Sequence, residues 1–315
     1  MSGSGCTIVF YHYVRDVERT AFPDIKALSV SGFTAQLDWL QSRFDVLDPR
    51  AFEQAVLNGA RFDRPTALLT FDDGFIDHYE HVFPALHSRG LGGIFFVVGS
   101  GLNDRPRLAN VHKTHFLLSH LGAERFAREV GDGLTAEGVS VAAAFPREGI
   151  YRYDEAPDVR IKRVLNYEAP YPAADRVLSV LFERHIGDST MFARTLYLSP
   201  GQVSEMARGG MTFGFHTESH PVLSRLNRDE QRRELRRGPS RIRDLTGQPT
   251  VSCCYPYGFP HTYNADTLEA LEDFGYSMAF NTVRREAMIG EDLRYELPRF
   301  DTRDVARLHE VPAGA

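Results

Sequence analysis

The stretch TALLTFDDGFIDHYEHVFPALHSRGLGGIFFVVG, residues 66–99, decides the fold. It opens with an unbroken apolar run, halts at Asp72, Asp73 and Gly74, continues with helical periodicity to about residue 90, and closes on a second apolar run. Continuous rather than alternating apolarity marks strands buried on both faces, and a helix between two of them makes a parallel βαβ unit. Upstream the same alternation is present: TIVFYHYV (7–14), a helix in FTAQLDWLQSRF (33–44), FDVLD (44–48) and a helix in RAFEQAVLNG (50–59). It resumes near residue 199 with a helix in SPGQVSEMARGG, a strand in MTFGFHT (211–217) and a charged helix starting at Asn227 with Glu230 three residues on. VSCCYPYG (251–258), a helix in ADTLEALEDFG, YSMAFNT (276–282) and YELPRFD (295–301) follow. Eight candidate strands alternating with helices predict an α/β fold, a distorted (β/α) barrel of seven or eight strands, and no phosphate-binding glycine fingerprint after the first strand favours an open doubly wound sheet.

Between residues 101 and 198 the strand signal stops, and HKTHFLLSHLGAERFAREV and AADRVLSVLFERHI read as helices. The expected organisation is therefore a barrel from residues 1–100 and 199–315 with a mostly helical insertion at 101–198. Leaving from the end of a barrel strand, the insertion is expected at the C-terminal mouth, as a lid or as a dimerisation element through which the chain forms a homo-oligomer.

At 315 residues the chain can bury a sizeable core. With 36 Lys and Arg against 42 Asp and Glu, its net charge of -6 argues against nucleic acid and anionic lipid as partners. The start MSGSGCTIVFYHYV lacks a positive n-region and a long apolar core, and no apolar span of membrane length is present, so no transmembrane segment and a cytoplasmic location are expected. Cys6, Cys253 and Cys254 read as buried free thiols, because three cysteines make no disulfide framework and adjacent ones bridge only through a strained ring.

Two neighbouring carboxylates repel and lose solvation on burial, so Asp72 and Asp73 need a cation or a shared proton to offset the cost. Gly74 lets the chain turn at the strand end and bring both toward one site. A second strand end, FGFHTESHP, places His216 and His220 four residues apart. One carboxylate and two imidazoles, with positions left for water and substrate, form the ligand set of a hydrolytic divalent site, Zn²⁺ ahead of Co²⁺ and similar ions. The remaining carboxylate is free to take a proton. Taken singly, DDG is a common turn and HxxxH a polar turn; at two strand ends of one barrel they point to a metal.

These motifs resemble the polysaccharide deacetylases of the NodB-homology type, carbohydrate esterase family 4. TFDDG is similar to the family's first motif, which implies Asp72 as general base and Asp73 as metal ligand. HTESHP is similar to the second and implies His216 and His220 as the other ligands. YPYG (255–258) is similar to the third, a groove wall whose backbone N–H, here of Tyr257, helps stabilise an oxyanion. FYHYV resembles the opening strand of a subgroup, which implies His12 as general acid, with His309 in RLHE as the alternative. The resemblance implies hydrolysis of the N-acetyl group of an amino sugar; the other readings are a hydrolase of a non-sugar amide or formamide and an inactive carbohydrate-binding homologue. The chain departs from the family at two places. Cys254 stands where many members carry an arginine that contacts the base, and Arg299 in LPRFD is the candidate replacement. The fourth-motif tryptophan is missing, since the single Trp39 lies in an early helix. Tyr255, Pro256, Phe259 and Tyr263 are candidate sugar-stacking residues, with core packing as the alternative.

Overall fold

The structure, a computed structural model, describes residues 5–139 and 156–310. The strands are β1 (Cys6–Tyr11), β2 (Asp45–Val46), β3 (Thr66–Phe71), β4 (Ile94–Val97), β5 (Thr212–Phe215), β6 (Cys253–Cys254), β7 (Ala279–Phe280) and β8 (Phe300–Asp301). Each coincides with one of the eight apolar runs, β1 starting one residue before its run. Around them lie α1 (Val30–Arg43), α2 (Pro49–Asn58), α3 (Phe83–His87, entered through a π turn at His78–Val82), α4 (Asn110–Leu121), α5 (Ala123–Ala136) and α6 (Ala156–Arg163). They continue as α7 (Tyr171–His185), α8 (Ser189–Leu196), α9 (Pro200–Arg208), α10 (Arg228–Leu235), α11 (Gly238–Thr246) and α12 (Ala265–Asp273). The Asn227–Glu230 spacing read from the sequence forms a reciprocal capping box, and Ser199 with Gln202 forms another at the start of α9.

The strands run parallel in the order β7-β6-β5-β4-β3-β1-β8, with β2 beside the foot of β3. The two edges come together just ahead of β8, where Phe280 bridges Leu297 in parallel and the Leu297 N–H donates to the Ala279 carbonyl at 3.0 Å. Strands of two residues at β6, β7 and β8 give little ladder there, which distorts the barrel. Along each strand alternate side chains face opposite ways. Ile8, Leu68, Ile94, Phe96, Cys254 and Phe280 form one apolar cluster, while Val9, Tyr11, Leu69, Phe71, Phe95 and Phe213 pack against the helices.

Register brings the chemistry to one rim. Tyr11 pairs with Phe71, so His12 and Asp72 leave the sheet side by side. On the other flank of β1, Phe10 pairs with Asp301, which puts Arg299 just before β8, inside the sheet. Arg299, which the sequence places within the strand YELPRFD, instead precedes β8 and reaches the rim from below.

Helices α4 to α8 come between β4 and β5 and bury a cluster of their own, including Phe116, Phe126, Val130, Leu178 and Phe182. Tyr13 and Phe75, from the loops after β1 and β3, belong to that same cluster and join it to the barrel rim. The single helix expected over 112–130 is two helices, because Gly122 adopts a left-handed φ of 73° that ends α4.

Candidate functional site

The loops after β3, β5 and β6 carry every non-glycine residue with positive φ among the described residues: Asp73 (75°), Thr217 (64°), His220 (60°) and Tyr257 (63°). Such a backbone is costly for an L side chain and persists only where the surroundings enforce it, typically at functional sites. At Asp73 the reversal has a plain effect. Along β3, Leu68, Thr70 and Asp72 share one face, and the turn brings Asp73 to the same rim instead of the opposite face. Gly74 follows at φ 68° with Val97 so close that a Cβ would lie 2.8 Å from its side chain. The histidine loop is held by a Thr217 hydroxyl accepting the His220 N–H at 3.0 Å and by Glu234, which accepts the Ser219 N–H and hydroxyl.

Asp73 is at the centre of the site. Its Oδ1, buried and without a hydrogen-bond donor, lies 3.5 Å from His216 Nε2 and 3.4 Å from His220 Nε2. These spacings suit a tetrahedral ion whose O and N ligands sit at about 2.1 Å, for which ligands lie about 3.4 Å apart. His216 Nδ1–H donates to the Cys254 carbonyl at 2.7 Å, which fixes its tautomer and leaves the Nε2 lone pair toward Asp73. Burial lowers both imidazole pKa values, that of His220 to about 3, keeping them neutral as ligands must be. Burial raises the Asp73 pKa, but the surrounding histidines, His112 foremost, outweigh it and hold the carboxyl well below the usual range. The donor set therefore fits a divalent cation.

Asp72 belongs to a different network. Arg299, fully buried, clamps it with two bonds of 2.8 Å, Nη1 to Oδ1 and Nη2 to Oδ2. The guanidinium also donates to Thr70 Oγ1, to the Asn281 carbonyl and to Cys254 Sγ. Its donors are spent on strands β3, β6 and the segment after β7. Cys254, small and protonated because burial raises its thiol pKa, leaves room for this fork where a longer side chain would not. Desolvation pushes the Asp72 pKa up, yet the Arg299 charge and hydrogen bonds prevail and keep it below the ordinary value.

His12 sits on the rim with its side chain 42% exposed and Nε2 3.9 Å from Asp73 Oδ2. Its carbonyl accepts a bond from His78 Nε2 at 2.9 Å, and Arg15 with Asp77 fixes the next residues, so the backbone is rigid while the ring faces out. Tyr257 places its ring centroid 5.1 Å from that of His220, and its hydroxyl donates to Asn166 Oδ1 at 2.9 Å. The side chain of His309 lies outside the described residues.

The aromatic candidates divide. Tyr255 and Tyr263 stack on each other at 4.0 Å within the core, their hydroxyls bound to the Tyr295 carbonyl and to Glu296, and Pro256 is buried with them. Their faces are covered, which corrects the expectation that they stack on sugar. Phe259 is partly exposed and lies parallel to His261 at 5.7 Å.

One residue at the centre escaped the sequence reading. His112, on α4, is completely buried with Nε2 3.2 Å from Asp73 Oδ2. Nothing in HKTH marks it, because its distance in sequence from both motif loops hides the contact.

Comparisons with known proteins agree with this architecture. The family model described as polysaccharide deacetylase matches residues 163–279, a span that holds the His216–His220 loop and YPYG but not the Asp72–Asp73 turn. "Putative polysaccharide deacetylase YxkH" of Bacillus subtilis is 21% identical over 251 residues, 79% of this chain, and this chain spans 57% of that protein's length. Among solved structures, the Streptococcus pyogenes deacetylase PplD in complex with acetate superposes with a TM-score of 0.58 at 19% identity, covering 97% of this chain and 98% of that one. IcaB from Ammonifex degensii gives 0.58 at 18% identity, covering 98% and 97%. A parallel barrel of this shape hosts many chemistries, so the likeness that bears on the site is that of the family model, which spans two of its rim loops. Over residues 163–279 the chain is similar to the polysaccharide deacetylases, and its fold is that of the solved deacetylases.

Proposed function

We propose that this protein is a metal-dependent N-deacetylase that hydrolyses the N-acetyl group of an amino sugar in a glycan or glycan precursor, releasing acetate and a free amine. The observation that carries the reading is the pairing of an Asp73–His216–His220 donor cluster with a separately clamped Asp72 a single residue away. Asp73, His216 and His220 would hold a divalent ion, Zn²⁺ before Co²⁺, which when bound would supply Lewis acidity and a water of lowered pKa. Asp72, kept ionised by Arg299, accepts the proton from the attacking water. The N–H of Tyr257, in its left-handed loop, stabilises the negative charge that develops on the acyl oxygen. His12, exposed to the rim, gives a proton to the departing nitrogen, which cannot leave as an amide anion. Helix α4 brings His112 against the site, and the partly exposed Phe259 is the aromatic left to meet the sugar.

Against the reading of an inactive homologue stands the Arg299 clamp on Asp72, a contact of the kind expected from the arginine absent from the third motif. A non-sugar amide hydrolase keeps one: with Tyr255 and Tyr263 buried, fewer aromatic faces line the rim. Acetate release from N-acetylglucosamine oligomers, compared with release from simple acetamides and formamides, separates the two. Preference for the oligomers by 10-fold or more in kcat/KM is expected, and equal or better turnover of the simple amides would overturn the sugar assignment.

A further inference from the structure

The insertion reaches the centre of the site through His112. Its Nδ1 lies 2.5 Å from the Tyr197 hydroxyl, and that hydroxyl accepts the Ala109 N–H at 3.1 Å. All three groups are buried. Since the Ala109 amide already donates to the Tyr197 oxygen, the phenolic proton points to His112 Nδ1. His112 Nδ1 is then the acceptor and Nε2 carries the hydrogen. The opposite tautomer would set a bare Nε2 lone pair 3.2 Å from a carboxylate oxygen, a repulsive contact. In the favoured tautomer Nε2–H faces Asp73 Oδ2 at 3.2 Å, close enough for charge attraction though its angle is outside that of a hydrogen bond, and Nε2 has no other partner.

Asp73 thus has two differently occupied oxygens. Oδ1 faces His216 and His220, and Oδ2 faces His112, with His12 farther off at 3.9 Å. His112 is not a fourth donor of the cluster, since the donor atoms that lie within 4.8 Å of one another are those of Asp73, His216 and His220. The ring itself is immobilised. Phe75 meets it edge-on at 4.9 Å, and the adjacent Lys113, buried, ties α4 to α7 through Asp175 and Ser179.

We propose that Tyr197 and His112 form a positioning relay of the insertion, Tyr197 Oη–H to His112 Nδ1 and His112 Nε2–H to Asp73 Oδ2, that holds Asp73 as a one-oxygen metal ligand through Oδ1. The inference rests on the metal-site reading above. It makes helix α4 and the residue that caps α8 part of the metal centre, whereas packing alone would leave them a scaffold. Hydrogen-bond partners of metal ligands typically change affinity by about 10–100-fold when removed.

The test is Co²⁺ affinity by competition with a chromophoric chelator, together with the visible spectrum of the bound ion, on the full chain. His112→Leu should weaken binding by about 10–100-fold and shift the spectrum as Asp73 relaxes toward two-oxygen ligation. His112→Gln, whose amide N–H can reach the same carboxylate, should restore most of the affinity. Tyr197→Phe, which keeps the ring and its stacking on Phe75, should give an intermediate loss, and it carries the test if His112→Leu does not fold. Wild-type affinity and spectrum in both His112→Leu and Tyr197→Phe would overturn the relay while leaving the metal site intact. Equal losses in His112→Gln and His112→Leu would also overturn it, as the signature of packing. A wild-type chain that binds no Co²⁺ would overturn the metal-site reading and the relay with it.

Discussion

Replacing Arg299 by methionine tests how the buried carboxylate is tolerated. Arg299 has no exposed side-chain surface, and both of its terminal nitrogens bind Asp72 at 2.8 Å. Methionine fills much of the space and removes the cation, leaving Asp72 an unpaired buried charge. Breaking a buried pair in this way costs about 3–5 kcal/mol. At about 2–3 °C of melting temperature per kcal/mol, the midpoint should fall by roughly 6–15 °C. The sign with pH follows from Asp72. In the wild-type chain its folded pKa is lowered, so the pair stabilises fully above the unfolded value of about 3.9 and loses that contribution as pH falls through the folded value. In Arg299→Met desolvation, the largest influence, is opposed only by His216 and His12, so the folded pKa should rise above about 3.9 and stability be lost as pH rises through the window between them. Urea unfolding from pH 4 to 8 should therefore show the gap between the two proteins widening toward neutral pH. Adding Asp72→Asn to Arg299→Met should recover a good part of the loss, because the double variant buries no net charge. A gap independent of pH, or no recovery in the double variant, would refute the reasoning.

Asp72→Asn alone should lower kcat by about 10²–10⁴-fold while Co²⁺ affinity stays within a few-fold of wild type, measured by acetate release and chelator competition. Gly74→Ala should destabilise by at least 1 kcal/mol, since it adds the ordinary cost of a left-handed φ for a side chain to a 2.8 Å contact with Val97; thermal melts check it. Phe259→Ala should raise KM for the oligomer with little change in melting temperature. Tyr263→Ala should cost about 3–5 kcal/mol in urea unfolding, as expected for an aromatic removed from the core.

The barrel was legible because buried parallel strands are written as local, continuous apolar runs, and each of the eight became a strand. The four site residues Asp72, Asp73, His216 and His220 were legible for the same reason: each pair lies within one short loop at a strand end. Arg299 could be named as the replacement for the missing arginine but not placed, because whether it enters above or below the rim depends on β8 pairing with β1. Tyr255 and Tyr263 misled because a sugar platform and a buried stacked pair have the same composition; only burial separates them. His112 was invisible, since its role arises from a helix of the insertion folding back 39 positions from Asp73 in sequence, a contact no local pattern records. Gly122 gave a cue for the break between α4 and α5 that the surrounding helical periodicity outweighed.

The most direct test of the central claim is acetate release from N-acetylglucosamine oligomers by chelated protein titrated with Zn²⁺, followed alongside bound metal. The account predicts negligible release without metal, activity rising in step with occupancy to saturation at one ion per chain, and loss of both binding and release in Asp73→Ala. Release that persists in the chelated protein, or in Asp73→Ala without bound metal, would contradict it.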